Sequence, residues 1–187
     1  ICVLFFFLNI ALSQDKIELK QADSLSSIQI DNETITSLKG GVVFKKGNQL
    51  LFGDRAIQSS KNNQIKLFDN VKVQDETKTI FCDSLFFDTE KDKIQLFGNV
   101  KINNDNEIIS TDQAELDNEK ITLLKNSKVV SDNQRIEGDL VEIIYNQDEI
   151  ESLKILKNGV IFSLNQGYEK NNNNQNQVVE NEDILKG

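Results

Sequence analysis

The sequence predicts an all-β fold in which two-strand repeats are stacked into a jelly-roll-like or solenoid-like sandwich. Three observations predict it. A pair of sequence elements recurs about every 29 residues, apolar and polar residues alternate with period two, and short polar segments separate the elements. The 187 residues include no Pro, so the turns must depend on Asn, Asp and Gly. No window after residue 13 has the pattern of a long amphipathic helix.

The first element is an apolar-x-x-Asp motif with nearly constant spacing. Its aspartates lie at 23, 54, 83, 112 and 139, which are 31, 29, 29 and 27 residues apart. Around Asp83, Ile80 lies three positions before and Leu85 two positions after, and three other copies share this arrangement. Because the two apolar positions differ by an odd number, the inward face must switch at the Asp, which predicts a bulge or sharp bend. We interpret the Asp as a structural corner that accepts bonds from local backbone N–H groups, since calcium loops cluster their acids differently.

The second element is a strand with alternating residues. Ile65–Val73 reads IKLFDNVKV, and Ile94–Ile102 nearly repeats it as IQLFGNVKI. Strict alternation is typical of a half-buried strand, and the Asp-Asn and Gly-Asn pairs at 69–70 and 98–99 predict a bend within it. We expect each of five units to add one strand to each of two facing sheets, a stack of roughly 24 Å. The polar positions that we assign to a solvated outer face include Lys66, Lys72 and Lys101.

Composition divides the chain into four segments. Residues 1–13, ICVLFFFLNIALS, form an apolar run that ends in small residues, as a signal peptide truncated at its start would; a membrane anchor is the alternative. Residues 14–164 contain the repeats. Residues 165–182 are rich in Asn and charged residues, which predicts a disordered polar loop, and 183–187 resemble the start of a further strand.

Composition also excludes several classes of function. The chain has no His, which removes the commonest general base and zinc ligand, and no phosphate-binding loop or nucleophile motif is present. The net charge of −9 disfavours a nucleic-acid partner. Cys2 lies in the apolar run, so Cys82 is expected to be a buried apolar residue without a disulfide. We therefore expect no enzyme activity, no catalytic residues, no cofactor and no metal.

Three segments carry a resemblance to a known family. Gln21–Leu25 reads QADSL, Cys82–Phe87 reads CDSLFF, and Leu96–Ile102 reads LFGNVKI. This pairing resembles the OstA-like repeat family, over roughly residues 16–163, and is similar to its Bacteroidetes-type members. The family includes periplasmic bridge proteins of lipopolysaccharide transport and the N-terminal domain of the outer-membrane lipopolysaccharide translocon. The second unit departs from the pattern, because Arg55 and Ala56 stand where the third has Ser84 and Leu85.

The resemblance implies an open, twisted jelly roll with an apolar groove for acyl chains. It also implies a periplasmic location, with outer-membrane association as an alternative. The implied partners are lipopolysaccharide or lipid A and other transport domains of the same kind, joined head to tail through edge strands; a homo-oligomer is another assembly we consider. The residues expected to line the groove are Leu67, Val71, Val73, Leu85, Phe87, Ile94, Leu96, Val100, Ile102, Ile121, Leu123 and Val129.

The aliphatic pattern alone leaves a second interpretation open. Every β-sandwich has inward aliphatic residues, so the same positions could form a closed core without a ligand. In that case the chain would be a structural repeat scaffold or a surface adhesin.

Overall fold

The computed structural model describes residues 16–104, 106–117, 119–146, 149–170 and 176–186. The predicted signal peptide at 1–13 lies outside this range. No helix in the described part of the chain is long and apolar enough to cross a membrane. The described residues form thirteen strands. These are β1 (Ile17–Gln21), β2 (Ser24–Ile30), β3 (Glu33–Lys46), β4 (Gln49–Ser59), β5 (Gln64–Gln74), β6 (Lys78–Asp88), β7 (Lys93–Asn104), β8 (Glu107–Asp117), β9 (Lys120–Ser131), β10 (Gln134–Asn146), β11 (Glu149–Lys157), β12 (Val160–Lys170) and β13 (Asn176–Lys186).

One antiparallel sheet contains all thirteen strands, which confirms the all-β prediction. Strands β3 to β10 follow one another in chain order, as consecutive hairpins do. At one end β1 and β2 both pair with β3, and at the other end β11 and β12 both pair with β10. The sheet ends at β13, which pairs with β12 and not with β1, so the sheet is open.

Each long strand from β3 to β10 is interrupted near its middle. The β6–β7 pairing skips from Phe81 to Ser84, and the other central pairs have similar register shifts. On the β7 side of this break, Gly98 and Asn99 have positive φ values of 73° and 47°. Where one strand has an extra residue relative to its partner, residues with left-handed backbone conformation produce a bulge that bends the strand sharply. The bends predicted at the repeated Asp and Asn positions are therefore confirmed.

These aligned bends fold the sheet into two facing layers. Layer A contains β1, β12, β13, the C-terminal halves of β3, β5, β7 and β9, and the N-terminal halves of β4, β6, β8 and β10. Layer B contains β2, β11 and the remaining halves. Each unit is thus a hairpin that adds two strands to each layer. The expectation that each unit adds one strand to each layer is therefore wrong. At a spacing of about 4.8 Å, the ten strands of layer B span roughly 43 Å.

The switch of the inward face at each Asp is confirmed by burial. Ile80 and Leu85, on either side of Asp83, are both buried although their positions differ by five. The residues that correspond to them in the other units are also buried: Leu51, Ile109, Ile136, Ala56, Ala114 and Val141. Both halves of every central strand therefore supply side chains to a single core between the layers.

The C-terminal segment contains more strand than the sequence suggested. Strand β12 continues to Lys170, and β13 begins at Asn176, so both enter the segment 165–182 that we predicted to be a disordered loop. They pair without a break from Val160 to Lys170. Hydrogen bonding between the main chains of two strands needs no apolar side chain. The polar composition of residues 165–182 therefore gave no indication of these strands. Residues 171–175 and 187 lie outside the described part of the chain.

Candidate functional site

The twelve residues predicted to line a groove lie between the two layers. Ile94 is partly buried, and the other eleven are at most 3% exposed. The eleven are Leu67, Val71, Val73, Leu85, Phe87, Leu96, Val100, Ile102, Ile121, Leu123 and Val129. In this structure they pack against one another, so the interior is a filled apolar layer at these positions.

The same interior includes residues that we did not assign to it. Val42 and Phe44 occupy the positions in β3 that Val71 and Val73 occupy in β5, and they are equally buried. At the other end, Ile143 and Tyr145 of β10 continue the inward pattern. Alternation of apolar and polar residues in these two segments could have identified them as inward-facing. The first and last units match the repeat poorly, however, so their residues were not aligned with those of the regular units. The apolar interior therefore extends from β3 to β10.

Few polar groups enter this interior. Among the described residues, the buried polar side chains are Thr111 and Ser127, whose hydroxyl oxygens lie 3.0 Å apart. The Thr111 hydroxyl also lies 3.0 Å from the Leu124 carbonyl oxygen and 2.9 Å from that of Lys125. Both hydroxyls are hydrogen bonded, so neither requires a ligand. The inward surface offers apolar contact along its length.

A cavity of about 150 Å³ opens where the strand ends of the two layers meet. Val73 and Ile80 line it from layer A, and Ile94 and Leu116 from layer B. The polar side chains around its opening are those of Lys46, Gln49, Asp75, Lys78 and Asp92. A cavity of about this volume has room for a benzene-sized group, but polar side chains form much of its wall. An acyl chain would need more space than this cavity provides.

Polar contacts join the two layers along the side opposite the bends, which we call the seam. Lys46, at the end of β3 in layer A, forms an ion pair with Asp92, which precedes β7 in layer B. The Lys46 ammonium also lies 5.3 Å from the centre of the Phe87 ring. These contacts are partly exposed, and partly exposed ion pairs contribute only about 0–1 kcal/mol.

A second set of contacts closes the seam further along. The Tyr145 hydroxyl of β10 donates a 2.9 Å hydrogen bond to the carboxylate of Glu107 at the start of β8. The Lys78 ammonium lies 5.0 Å from the Tyr145 ring. Burial, and then the negative charge of Glu107, raise the pKa of Tyr145, so its hydroxyl remains protonated. The layers are thus joined at the seam by side chains and at the bends by continuous main chain.

The repeated aspartates form a row along the outside of the bends. The Asn99 amide donates a 3.0 Å hydrogen bond to the Asp83 carboxylate, and Asn70 donates one of 2.7 Å to Asp54. The same pair recurs in the next two units, from Asn126 to Asp112 and from Asn158 to Asp139. The Asp therefore lies at a corner, as predicted, but its partner in these four units is an Asn amide where we had expected local backbone N–H groups. Three of these Asn residues lie on the following strand, and Asn158 lies between β11 and β12. No group of three or more acidic, Cys or His residues suited to a metal occurs among the described residues.

Unpaired strand edges lie at both ends of the stack. Strand β2 is exposed along its whole length, and its Leu25, Ile28 and Ile30 side chains are 49–59% exposed. Leu19 of β1 is 42% exposed beside it. An exposed edge with apolar side chains can pair with a strand of another chain.

Comparison with known proteins gives a family. No curated protein matches the chain. Among solved structures, it is similar to LptH from Pseudomonas aeruginosa, described as the LptA-homologous periplasmic component of the conserved lipopolysaccharide transport device. The sequence identity is 12% and the TM-score 0.48, over 78% of this chain and 94% of that one.

The family assignment comes from the sequence itself. The family model described as OstA-like protein matches residues 14–148, which is more than half of the chain. The match covers β1 to β10, the strands that carry the bends, the buried aliphatic residues and the Asp–Asn pairs. This chain belongs to the OstA-like protein family.

Proposed function

We propose that the chain binds lipopolysaccharide in the periplasm, through the acyl chains of lipid A, and passes it towards the outer membrane. The observation that carries the proposal is the continuous apolar interior of an open sandwich, from Phe44 in β3 to Ile143 in β10. Membership of the OstA-like family supports it. The function needs no catalytic group, cofactor or metal.

The filled interior requires that the layers separate when a ligand enters. The bends are continuous main chain, whereas the seam depends on the Lys46–Asp92 ion pair and the Tyr145–Glu107 hydrogen bond. Separation therefore begins at the seam, beside the cavity lined by Ile94. Exposing aliphatic residues costs about 25 cal/mol per Å², and contact with acyl chains returns that free energy.

Transfer across the periplasm requires more than one domain. A stack of roughly 43 Å becomes longer if the edge at β1 and β2 pairs with the opposite edge of another domain. Leu25 and Ile28 of β2 would then be covered instead of exposed. We propose that the partner is another transport domain of this kind or a second copy of this chain.

Photocrosslinking tests the binding site with a matched pair of positions. Ile94 lines the cavity, whereas Gln95, the next residue, pairs with Phe86 on the outer face of layer B. A benzophenone amino acid at 94 is expected to crosslink to lipopolysaccharide, and the same group at 95 is not. Leu96→Asp and Leu123→Asp, which place a carboxylate inside, are expected to weaken the crosslink from position 100 in protein that remains folded by circular dichroism.

The close packing of the interior favours a second function, a structural scaffold or adhesin with a closed core. Native mass spectrometry of the purified chain separates the two. Co-purified lipid A species support the carrier. A ligand-free chain that also gives equal crosslinking at positions 94 and 95 would refute the carrier and leave the scaffold.

A further inference from the structure

The outer face of layer A carries a row of lysines that the transport proposal does not use. Lys72, Lys101 and Lys128 lie in one cross-strand row, on β5, β7 and β9. Adjacent strands are about 4.8 Å apart, so neighbouring lysines in this lysine row are separated by roughly 10 Å. All three point away from the interior, since their neighbours Val71, Val100 and Val129 are buried.

Apolar side chains lie between these lysines on the same face. Phe52 and Phe81 both lie directly opposite Lys72, on β4 and β6. The Lys72 ammonium is 5.7 Å from the centre of the Phe52 ring. Phe81 is 41% exposed and Ile108 of β8 is 48% exposed. Large apolar groups exposed beside cations can contribute to an interaction surface.

Acidic residues border this face but do not lie between its lysines. Glu137 of β10 is opposite Lys128 at the end of the lysine row, and Asp54, Asp83 and Asp112 stand at the bends beside it. From β4 to β9, the two outward rows of layer A contain neither Asp nor Glu. None of the ion pairs between described residues includes a member of the lysine row. In layer B, by contrast, Lys93 pairs with Glu115 and Lys120 with Glu142. The difference is notable in a chain whose net charge is −9.

We propose that this face docks on an anionic phospholipid bilayer. Lysine stems can lie along apolar surface while their ammonium groups reach lipid phosphates, and Phe81 and Ile108 can enter the interfacial region between them. The acidic remainder of the molecule is repelled by the same surface, which orients layer A towards it. A nucleic acid fits less well, since the face has no Arg between β4 and β9 to read or clamp it.

Vesicle flotation of the purified chain tests the proposal. Vesicles of phosphatidylethanolamine with phosphatidylglycerol are compared with vesicles of phosphatidylcholine alone. Each lysine near an anionic surface contributes about fivefold to partitioning, so the three together should favour the anionic vesicles by on the order of a hundredfold. The apolar run at 1–13 would enter both kinds of vesicle and therefore does not produce this preference.

Two triple variants separate the face from the net charge. Lys72→Gln/Lys101→Gln/Lys128→Gln is expected to abolish the preference for anionic vesicles. The control, Lys66→Gln/Lys93→Gln/Lys120→Gln in layer B, removes the same charge and should retain it. Phe81→Ser/Ile108→Ser should weaken binding to both kinds of vesicle. Lipid bound in the interior would contact the inner face of layer A, whereas these substitutions are on its outer face. They therefore test docking on the bilayer and not binding of lipid in the interior.

Three results would overturn the proposal. One is an unmodified chain with no preference for anionic vesicles, and another is an equal loss in the two triple variants. The third is a concentration-dependent dimer, measured by sedimentation velocity without vesicles, that disappears only in the layer A variant. That result would assign the lysine row to contact with a second copy.

Discussion

A few residues with left-handed backbone determine where each strand bends. At Gly98 the φ of 73° is one that L side chains rarely adopt, and a Cβ there would lie 2.2 Å from an oxygen of Asp83. Asn99 next to it also has positive φ, and its amide bonds the same carboxylate. Asn tolerates this conformation better than most residues with a side chain. The Asp, Gly and Asn therefore act together at one corner.

Gly98→Ala should lower the free energy of unfolding by about 2 kcal/mol, through backbone strain and the collision with Asp83. In an Asp83→Ala background the same Gly98→Ala change should cost less than in the natural chain, because the colliding oxygens are absent. Asn99→Gly is the control; it keeps the backbone conformation and loses only the hydrogen bond, about 1 kcal/mol. Urea unfolding measures all three. Equal losses in Gly98→Ala with and without Asp83 would show that the collision is absent.

Burial, reinforced by the charge of Asp83, raises the pKa of Cys82 to about 12. The unfolded thiol ionises near its ordinary value of 9.0, so the stability it contributes is complete below pH 9 and lost as the pH rises towards 12. Between pH 8 and 10 the unfolding free energy of the natural chain should therefore fall by about 1 kcal/mol more than that of Cys82→Ala. Parallel urea titrations test this. Identical slopes would mean that the thiol is accessible.

At the scale of the strand, the edges differ from the centre. Strand β2 has no buried residue, whereas each of β5 to β9 has at least three. Ile28 of β2 and Ile57 of β4 both project from the outer face of layer B, but β4 is hydrogen bonded on both sides. The two isoleucines thus form a matched pair, one at an edge and one within the sheet.

Ile28→Lys is expected to weaken head-to-tail association by at least tenfold, because a lysine on an edge strand opposes pairing with another chain. Ile57→Lys adds the same charge within the sheet and should leave association unchanged. Sedimentation equilibrium of the two variants beside the natural chain gives the comparison. A similar effect of both substitutions would point to general charge repulsion and not to the edge.

The sequence predicted the strands well where its units are regular. In β5 and β7, alternation identified the buried residues Leu67, Val71, Leu96 and Val100, and the Asn pairs located the bends. The sequence alone could not identify an Asn amide as the hydrogen-bond partner of each Asp, because the two residues become neighbours only after the strands pair. The number of strands per layer was also missed, since it depends on both strands of each hairpin crossing the bend.

For the molecule as a whole, stability should be distributed unevenly along the stack. Backbone hydrogen bonds join each unit only to its neighbours in the sheet, and terminal strands have a neighbour on one side alone, so they have fewer stabilising contacts than central ones. Hydrogen–deuterium exchange should therefore be fastest in β1 and β2 and slowest in β5 to β9. Mass spectrometry of peptides from these strands provides the measurement. Uniform protection across the sheet would show that the stack opens as one cooperative unit.

The Asp–Asn pairs of the bends also bear on how such a protein can change in size. Asp83 on β6 is bonded by Asn99 on β7, so a hairpin contains both partners of its own corner. A tandem copy of one hairpin would therefore bring a complete bend with it and fit between existing neighbours. Each added copy would lengthen the apolar path by roughly 10 Å. The distance over which such a domain reaches can thus grow by gene duplication in fixed steps, without redesign of either end.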